Sequence, residues 1–385
     1  MLAVFETHPI QYHAPVWGAA AALGVPLHVC YGGDFSLRGY HDREFGTSLA
    51  WEKDLLAGYE STVLCANLDT PPEDYESVNK HGVDEWLDEF KPSAVLACGY
   101  THPFDRAVLN GAGRRGIPLI YRGEANDSAR ERGVLKSLMR SVLLKRRYSQ
   151  IERFLYIGEE AKRHYIRHGA NSEQLDFSPY CVDTSPFHLG SHARRNLRSA
   201  TRRKYEIPVE SPVIMYSGKL SHRKGVDLLV RAAHRMGRDD LVILIVGDGA
   251  LKHDLERIAG PARVIFVGFQ NQSALSSFYH ASDLLALPSR HSETWGLVVN
   301  EAMHHGLPVV VSEAVGSKLD LVVPGCTGEI AKRNDLIALE SALRSCLEYA
   351  GNEKTEQSVR QKIEGYSIEA AASGLVAAWT TLQKS

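Results

Sequence analysis

The sequence predicts an α/β protein of two doubly wound, Rossmann-like domains that face each other across a cleft. Three observations predict it. Short apolar runs alternate with longer helical patterns almost throughout, as in βαβ units around parallel sheets. The 385 residues suffice for two ordinary domains, each with its own core. A polar, arginine-rich stretch, Gly190–Arg203, separates the apolar runs into two sets and reads as a linker or surface loop.

In the first set, strands are expected at Leu2–Glu6, Pro26–Tyr31, Ala94–Gly99, Pro118–Tyr121 and Arg153–Ile157. In the second they are expected at Pro212–Ser217, Leu241–Gly247, Val264–Val267, Leu284–Leu287 and Pro308–Ser312. The domains are accordingly drawn at 1–187, 188–367 and a C-terminal helix at 368–385. That helix, alanine-rich with one tryptophan, Trp379, either completes the second domain or crosses back to the first. In open parallel sheets, ligands sit beyond the carboxyl ends of the strands, so the loops after these strands are the ones to search.

Composition narrows the functional classes. A formal net charge of -2 lacks the basic excess of a general nucleic-acid binder. No apolar run reaches the 18 or so residues of a membrane span, and the N-terminus does not read as a signal peptide. Six scattered cysteines without a CxxC pair read as thiols in a reducing cytoplasm, not as a disulfide framework or zinc site.

The most informative stretch runs from Pro288 to Met303, PSRHSETWGLVVNEAM. A strand ends at Pro288, a polar turn follows, and a helix opens near Trp295 or Gly296. Thr294 is the expected N-cap. The amides of Trp295, Gly296 and Leu297 would then offer a helix N-terminus to an anion such as a diphosphate, with Gly296 allowing close backbone approach. Glu293 lies in the loop and Glu301 within the helix, so the two carboxylates address different parts of an extended ligand. Glu301 suits two vicinal hydroxyls, as on a ribose, and Glu293 suits the hydroxyls of a sugar beside the diphosphate.

This string resembles the Glu-x7-Glu motif of the retaining, GT-B-fold glycosyltransferases of family 4, the glycosyl transferases group 1 set. Pro288, Ser289, Glu293, Gly296, Glu301, Ala302, Met303, Gly306, Pro308, Val309 and Val310 stand in register with it, and Thr294-Trp295 replaces a Gly-Phe pair. The resemblance implies that Glu301 holds the donor ribose, Glu293 contacts the donor sugar and the amides of residues 295–297 help hold the diphosphate. It also implies a GT-B fold and transfer with retention of anomeric configuration.

A leaving diphosphate needs cations near its oxygens, and Ser217-Gly218-Lys219-Leu220-Ser221-His222-Arg223-Lys224-Gly225 supplies them after a strand. Lys224 occupies the family's lysine position. Lys219 replaces an arginine, which removes a bidentate fork. The chain has no Asp-x-Asp triplet of the kind that chelates a divalent metal against a nucleotide, so no metal or other cofactor is expected. Gly247, in Val246-Gly247-Asp248-Gly249, matches the family's Gly-x-Gly turn. Gly268 and Phe269 lie where family members contact the base, and Gly316 and Ser317 resemble a turn near the donor.

The N-terminal half resembles the family less. Thr7-His8-Pro9-Ile10-Gln11-Tyr12-His13 stands where a glycine-rich turn is usual, and His8, Gln11 and His13 suit sugar hydroxyls or acid–base work. The alternative is a capped turn with surface histidines. His102 is a similar candidate after another strand. Arg122 and Glu124 occupy the place of a family histidine that touches the donor sugar, so either can substitute for it. Phe177–Phe187 resembles the family's domain-junction element.

Between Arg130 and Arg153 lie eight Arg/Lys against two Glu, with Leu135, Leu138, Met139, Val142 and Leu143 at helical spacing. Such a helix either docks on an anionic membrane, near a lipid-linked acceptor, or packs on the core with a solvated basic side. Packing on the core is the expectation, because one such helix gives marginal membrane affinity.

The reading is a cytoplasmic, metal-independent retaining glycosyltransferase acting on a nucleotide-diphosphate sugar and an acceptor hydroxyl. A GT-B-fold sugar phosphorylase, a nucleotide-sugar epimerase and a non-catalytic nucleotide-sugar-binding protein are the rivals.

Overall fold

The computed structural model describes residues 1–37, 40–42, 47–49, 54–66, 82–125, 127, 133–259 and 263–384. The first sheet comprises β1 (Leu2–Glu6), β2 (Leu27–Tyr31), β5 (Glu60–Val63), β6 (Ala94–Ala97), β7 (Leu119–Arg122), β8 (Arg153–Tyr156) and β9 (Leu175–Phe177). A short hairpin pairs β3 (Tyr40–Asp42) with β4 (Thr47–Leu49). The second sheet comprises β10 (Val213–Ser217), β11 (Val242–Val246), β12 (Arg263–Gly268), β13 (Leu284–Leu287), β14 (Val309–Ser312) and β15 (Gly328–Ala331).

Strand order is β5-β2-β1-β6-β7-β8-β9 in the first sheet and β12-β11-β10-β13-β14-β15 in the second. Every pairing between strands of these two sheets is parallel. Sequences such as LAVFE and VILIV, apolar at successive positions, suit strands buried on both faces by helices. The strand order reverses between β1 and β6 in one sheet and between β10 and β13 in the other. Adjacent loops diverge at such a switch point and leave a crevice, so each domain has one.

Helix Ile368–Lys384 packs on the first domain. Ala371, Ala372, Leu375, Ala378 and Trp379 share a buried cluster with Leu2, Val4, Val16 and Trp17, and the Ser178 hydroxyl donates to the Ala371 carbonyl at 2.9 Å.

Two expectations need correction here. The arginine-rich stretch is neither linker nor loop: Ser191–Lys204 is a helix packed beside helix Gln272–Ala281. Its Arg202 is buried and donates to the carbonyls of Ala281, Pro208, Val209 and Ser211 and to Asp283. Arg198 joins it, bonding His280 and Ser282 carbonyls and the same aspartate. The guanidinium forks satisfy loop carbonyls, so the polar face is buried by pairing.

The basic helix is the second correction. Val134–Tyr148 is helical, but its apolar stripe is turned outward: Leu138 is 63% exposed, Met139 63%, Val142 64% and Leu143 56%. Leu144 and Tyr148 take the core side instead. Residues 130–132 of that segment, and the side chain of Leu135, lie outside the described residues.

Candidate active site

The β10–β13 crevice brings together the two motifs of the second domain. After β10 the chain turns through 217–225, and after β13 through 288–296. The Arg290 amide donates to the Arg223 carbonyl at 2.8 Å, which fixes the turns against each other. There the Lys224 ammonium donates to Glu293 Oε2 at 2.6 Å, and the Ser289 hydroxyl donates to the same oxygen at 2.8 Å. Burial pulls the Glu293 carboxyl upward. The Lys224 charge and hydrogen bond, the Ser289 hydroxyl and nearby Arg223 outweigh it and hold the group below the ordinary glutamate value.

Glu301 lies in helix Leu297–His304, buried, with Oε2 accepting from the Tyr279 hydroxyl at 2.6 Å. Burial raises its carboxyl to about 7 against the partial relief of that bond. Its wall belongs to a cleft of about 480 Å³ between the domains, bordered by Ser217, Gly218, Gly247, Phe269 and Leu275 on one side and Gln11, Tyr12 and Pro15 on the other. Gly247 has φ +144, and a Cβ there would stand 1.9 Å from the Gly218 carbonyl oxygen, so only glycine lets these turns meet.

Thr294 does not cap the helix. Gly296, at φ 91, occupies the N-cap, a left-handed position that threonine would strain. The Thr294 hydroxyl instead donates to Glu124 Oε2 of the first domain at 2.9 Å. Trp295 is buried between domains, its ring near those of Tyr180 and Tyr366, with its indole donating to Asn300 at 2.8 Å. The amides of Gly316 and Ser317 donate to the carbonyls of Glu293 and Trp295 and so brace this loop. Lys219 is half-buried in the turn beside Gly218, Gly268 ends β12, and Leu297 opens the Glu301 helix.

The β1–β6 crevice of the first domain forms a second cavity of about 570 Å³, lined by His8, His13, His102, Arg122 and Glu124 and closed from the other domain by Ser292 and Thr294. His13 is buried. Its Nδ1 is 2.5 Å from Glu6 Oε1, while Nε2 has no partner. The Trp17 indole donates to the other Glu6 oxygen at 3.2 Å, so the carboxylate and imidazole are held as an oriented pair. Burial, only partly offset by Glu6, lowers His8 to about 4, leaving a neutral imidazole at neutral pH. His102 caps helix Pro103–Arg114, and Asp105 accepts from its amide at 3.1 Å. Glu124 also accepts from the Tyr180 hydroxyl.

Glu301, Gly218, Gly247, Phe269 and Gln11 thus border one cavity, and His8, His13, His102, Arg122, Glu124 and Thr294 the other. Lys224 and Glu293 are paired on the loops beside them. Glu6 and Tyr279 escaped the sequence reading. An acidic residue ending an otherwise apolar strand was a usable signal for Glu6, whereas Tyr279 looked like helix core. Among the described residues, Asp127, His164 and His168 are grouped closely enough to hold a cation. Arg140 and Arg167 already engage Asp127 at 3.1 and 3.3 Å, which opposes a further positive charge.

Residues 198–365 match the family model described as glycosyl transferases group 1. This segment is similar to the glycosyl transferases of group 1. The chain is 29% identical over 196 residues to a D-inositol 3-phosphate glycosyltransferase of Xylanimonas cellulosilytica, covering 49% of this chain and 46% of the relative. It is 31% identical over 199 residues to the enzyme of the same name from Mycobacterium bovis, covering 49% and 40%. The chain therefore spans less than half the length of these relatives. A sucrose-phosphate synthase from Thermosynechococcus elongatus superposes with TM-score 0.72 at 18% identity, covering 100% of this chain and 99% of that one. HepE from Anabaena, solved with UDP, gives TM-score 0.73 at 17% identity, covering 99% of each. These structural likenesses establish the GT-B fold, with two Rossmann-like domains across a cleft. No helix among the described residues is long and apolar enough to cross a membrane.

Proposed function

We propose that the chain transfers a glycosyl group, with retention and without a metal, from a nucleoside-diphosphate sugar to an acceptor hydroxyl. The observation that carries this is the Lys224–Glu293 pair at the β10–β13 switch point, with buried Glu301 in the adjoining interdomain cleft and a polar cavity opposite. A cleft of about 480 Å³ suits a nucleotide-sized ligand.

In this reading the ribose hydroxyls donate to Glu301, and Phe269, Leu275 and Val298 form the apolar wall for the base. The diphosphate lies by Gly218 and Lys224, whose ammonium leaves Glu293 for the developing negative charge, with Lys219 in support. Glu293 is then released to hold the sugar and stabilise positive charge at its anomeric carbon. The acceptor hydroxyl attacks on the face the diphosphate leaves, and the departing phosphate takes its proton. His13, oriented by Glu6 and with Nε2 unpartnered, lines the acceptor cavity and positions that hydroxyl. HepE, solved with UDP-glucose, sits at TM-score 0.69 and 16% identity, which makes UDP the first nucleotide to try.

Thermal shift against UDP, GDP, ADP, dTDP and CDP tests donor binding, and the anomeric coupling of the product by proton NMR tests retention. Stabilisation by none of the five, or an inverted product, rejects this reading.

The outward apolar stripe of helix Val134–Tyr148 favours one addition. Lys136, Lys145 and Arg146 are exposed beside it, so the helix suits the anionic cytoplasmic face of a membrane. Replacing Leu138 and Val142 by glutamate should abolish co-sedimentation with phosphatidylglycerol vesicles while leaving the melting temperature in place; undiminished sedimentation refutes it.

A further inference from the structure

We infer that the acceptor carries an anionic group, a phosphate or a carboxylate, and that Arg122 binds it. This rests on reading the first-domain cavity as the acceptor site. Arg122 ends β7 in the cavity wall and is only 3% exposed. Its Nε and Nη2 are buried with no hydrogen-bond partner. The guanidinium stands 5.3 Å from the centre of the Tyr180 ring, an attraction that leaves its donors unsatisfied.

The carboxylates around the cavity are all engaged elsewhere. Glu6 accepts from His13 and Trp17, Asp105 from the amides of Thr101 and His102, and Glu124 from Tyr180 and Thr294. Arg202 shows how this chain treats a buried arginine with a purely structural role: five acceptors surround its fork. Arg122 has no such shell.

A guanidinium whose buried N–H donors have no acceptor is destabilising, because the nearby carboxylates are turned to other partners. An anion matching its planar fork relieves that, whereas sugar hydroxyls supply dipoles without a neutralising charge. The same cavity is bordered by Ser292 and Thr294, which flank Glu293. An acceptor anchored by its anion at Arg122 therefore has its hydroxyls in the space that the donor sugar enters.

The test uses the full chain with the donor cleft saturated by whichever nucleoside diphosphate stabilises it most. Inorganic phosphate and acetate are titrated into wild type, Arg122→Met and Arg122→Lys by calorimetry and thermal shift. At least one anion should bind wild type and raise its melting temperature by about 2 °C. Arg122→Met should weaken that binding at least about 10-fold, the loss expected when a charge-assisted bond is removed. It should also melt at or above the wild-type temperature when ligand-free, because buried donors without acceptors are gone. Arg122→Lys should retain part of the affinity. Absence of anion binding by wild type, or equal binding by Arg122→Met, overturns the inference. Nucleotide stabilisation that survives such a failure leaves the donor reading intact; its own absence removes that reading instead. Where the anion does bind, vesicles separate two sources that both uphold the inference. Retention on phosphatidylglycerol over phosphatidylcholine that Arg122→Met loses marks a lipid headgroup, and retention unchanged by Arg122→Met marks a soluble acceptor.

Discussion

Glu301 offers a prediction in which stability and nucleotide affinity move in opposite directions. In the empty cleft, burial lifts its carboxyl from the ordinary 4.5 to about 7. A raised folded value means that the protonated side chain favours the fold. That contribution is complete below pH 4.5 and is lost as pH climbs through 7. The interval corresponds to about 3 kcal/mol. Glu301→Gln keeps the shape, stays neutral and removes the dependence. Calorimetric melting at pH 5 and 8 should therefore show similar midpoints at pH 5 and a mutant roughly 5 °C more stable at pH 8. Nucleotide works against this advantage. Ribose hydroxyls bind a carboxylate through charge-assisted bonds, which the amide loses at a cost of about 1.5–3 kcal/mol, or roughly 10- to 100-fold in Kd. The mutant's advantage of about 3 kcal/mol in the empty protein at pH 8 should thus shrink or vanish at saturation. Parallel pH profiles, or nucleotide affinity within about 2-fold of wild type, would refute the assignment of Glu301 to the ribose.

Lys224→Ala should leave Glu293 buried without its cation, reducing stability by about 3 kcal/mol and turnover by at least about 100-fold; adding Glu293→Gln should recover the melting temperature but not the activity. Thr294→Val removes the hydroxyl that donates to Glu124 across the domains, and should raise the acceptor KM at a stability cost near ~1 kcal/mol in thermal unfolding. Arg202→Met strands several loop carbonyls, so it should lower the melting temperature while nucleotide affinity, measured by calorimetry, is unchanged. Turnover in the presence of a chelator should equal turnover without it, and loss of activity would contradict metal-free transfer.

The central strands of both sheets were readable because their side chains are apolar on both faces, and β1, β10, β13 and their neighbours fall within a residue or two of expectation. What escaped was peripheral or polar. β5, with sequence ESTV, sits at a sheet edge, half in solvent, and β9 and β15 run only LDF and GEIA. Their pairing comes from tertiary context rather than composition. The helix Ser191–Lys204 was hidden because Arg198 and Arg202 are satisfied by carbonyls just beyond its end and some 80 residues away, which no helical periodicity records. In the candidate site, fixed spacing singled out Glu293, Glu301 and Lys224 but not their arrangement. The Thr294 hydroxyl reads equally well as a cap or as a bridge to Glu124 until the left-handed backbone of Gly296 is known. The outward turn of Leu138 and Val142 was equally invisible, since amphipathic spacing defines a face without saying what lies against it.

The return of the final helix to the first domain has a mechanical consequence. The polypeptide passes between the lobes twice, once after β9 and again near Tyr366, whose ring lies 5.7 Å from that of Phe177 in β9. Two neighbouring covalent passages act as the pins of a hinge: they forbid sliding and free swinging, and leave rotation about the line joining them as the easy motion. Residues near that axis, such as Trp295 and Tyr366, keep their neighbours as the lobes turn, while the far rims travel furthest.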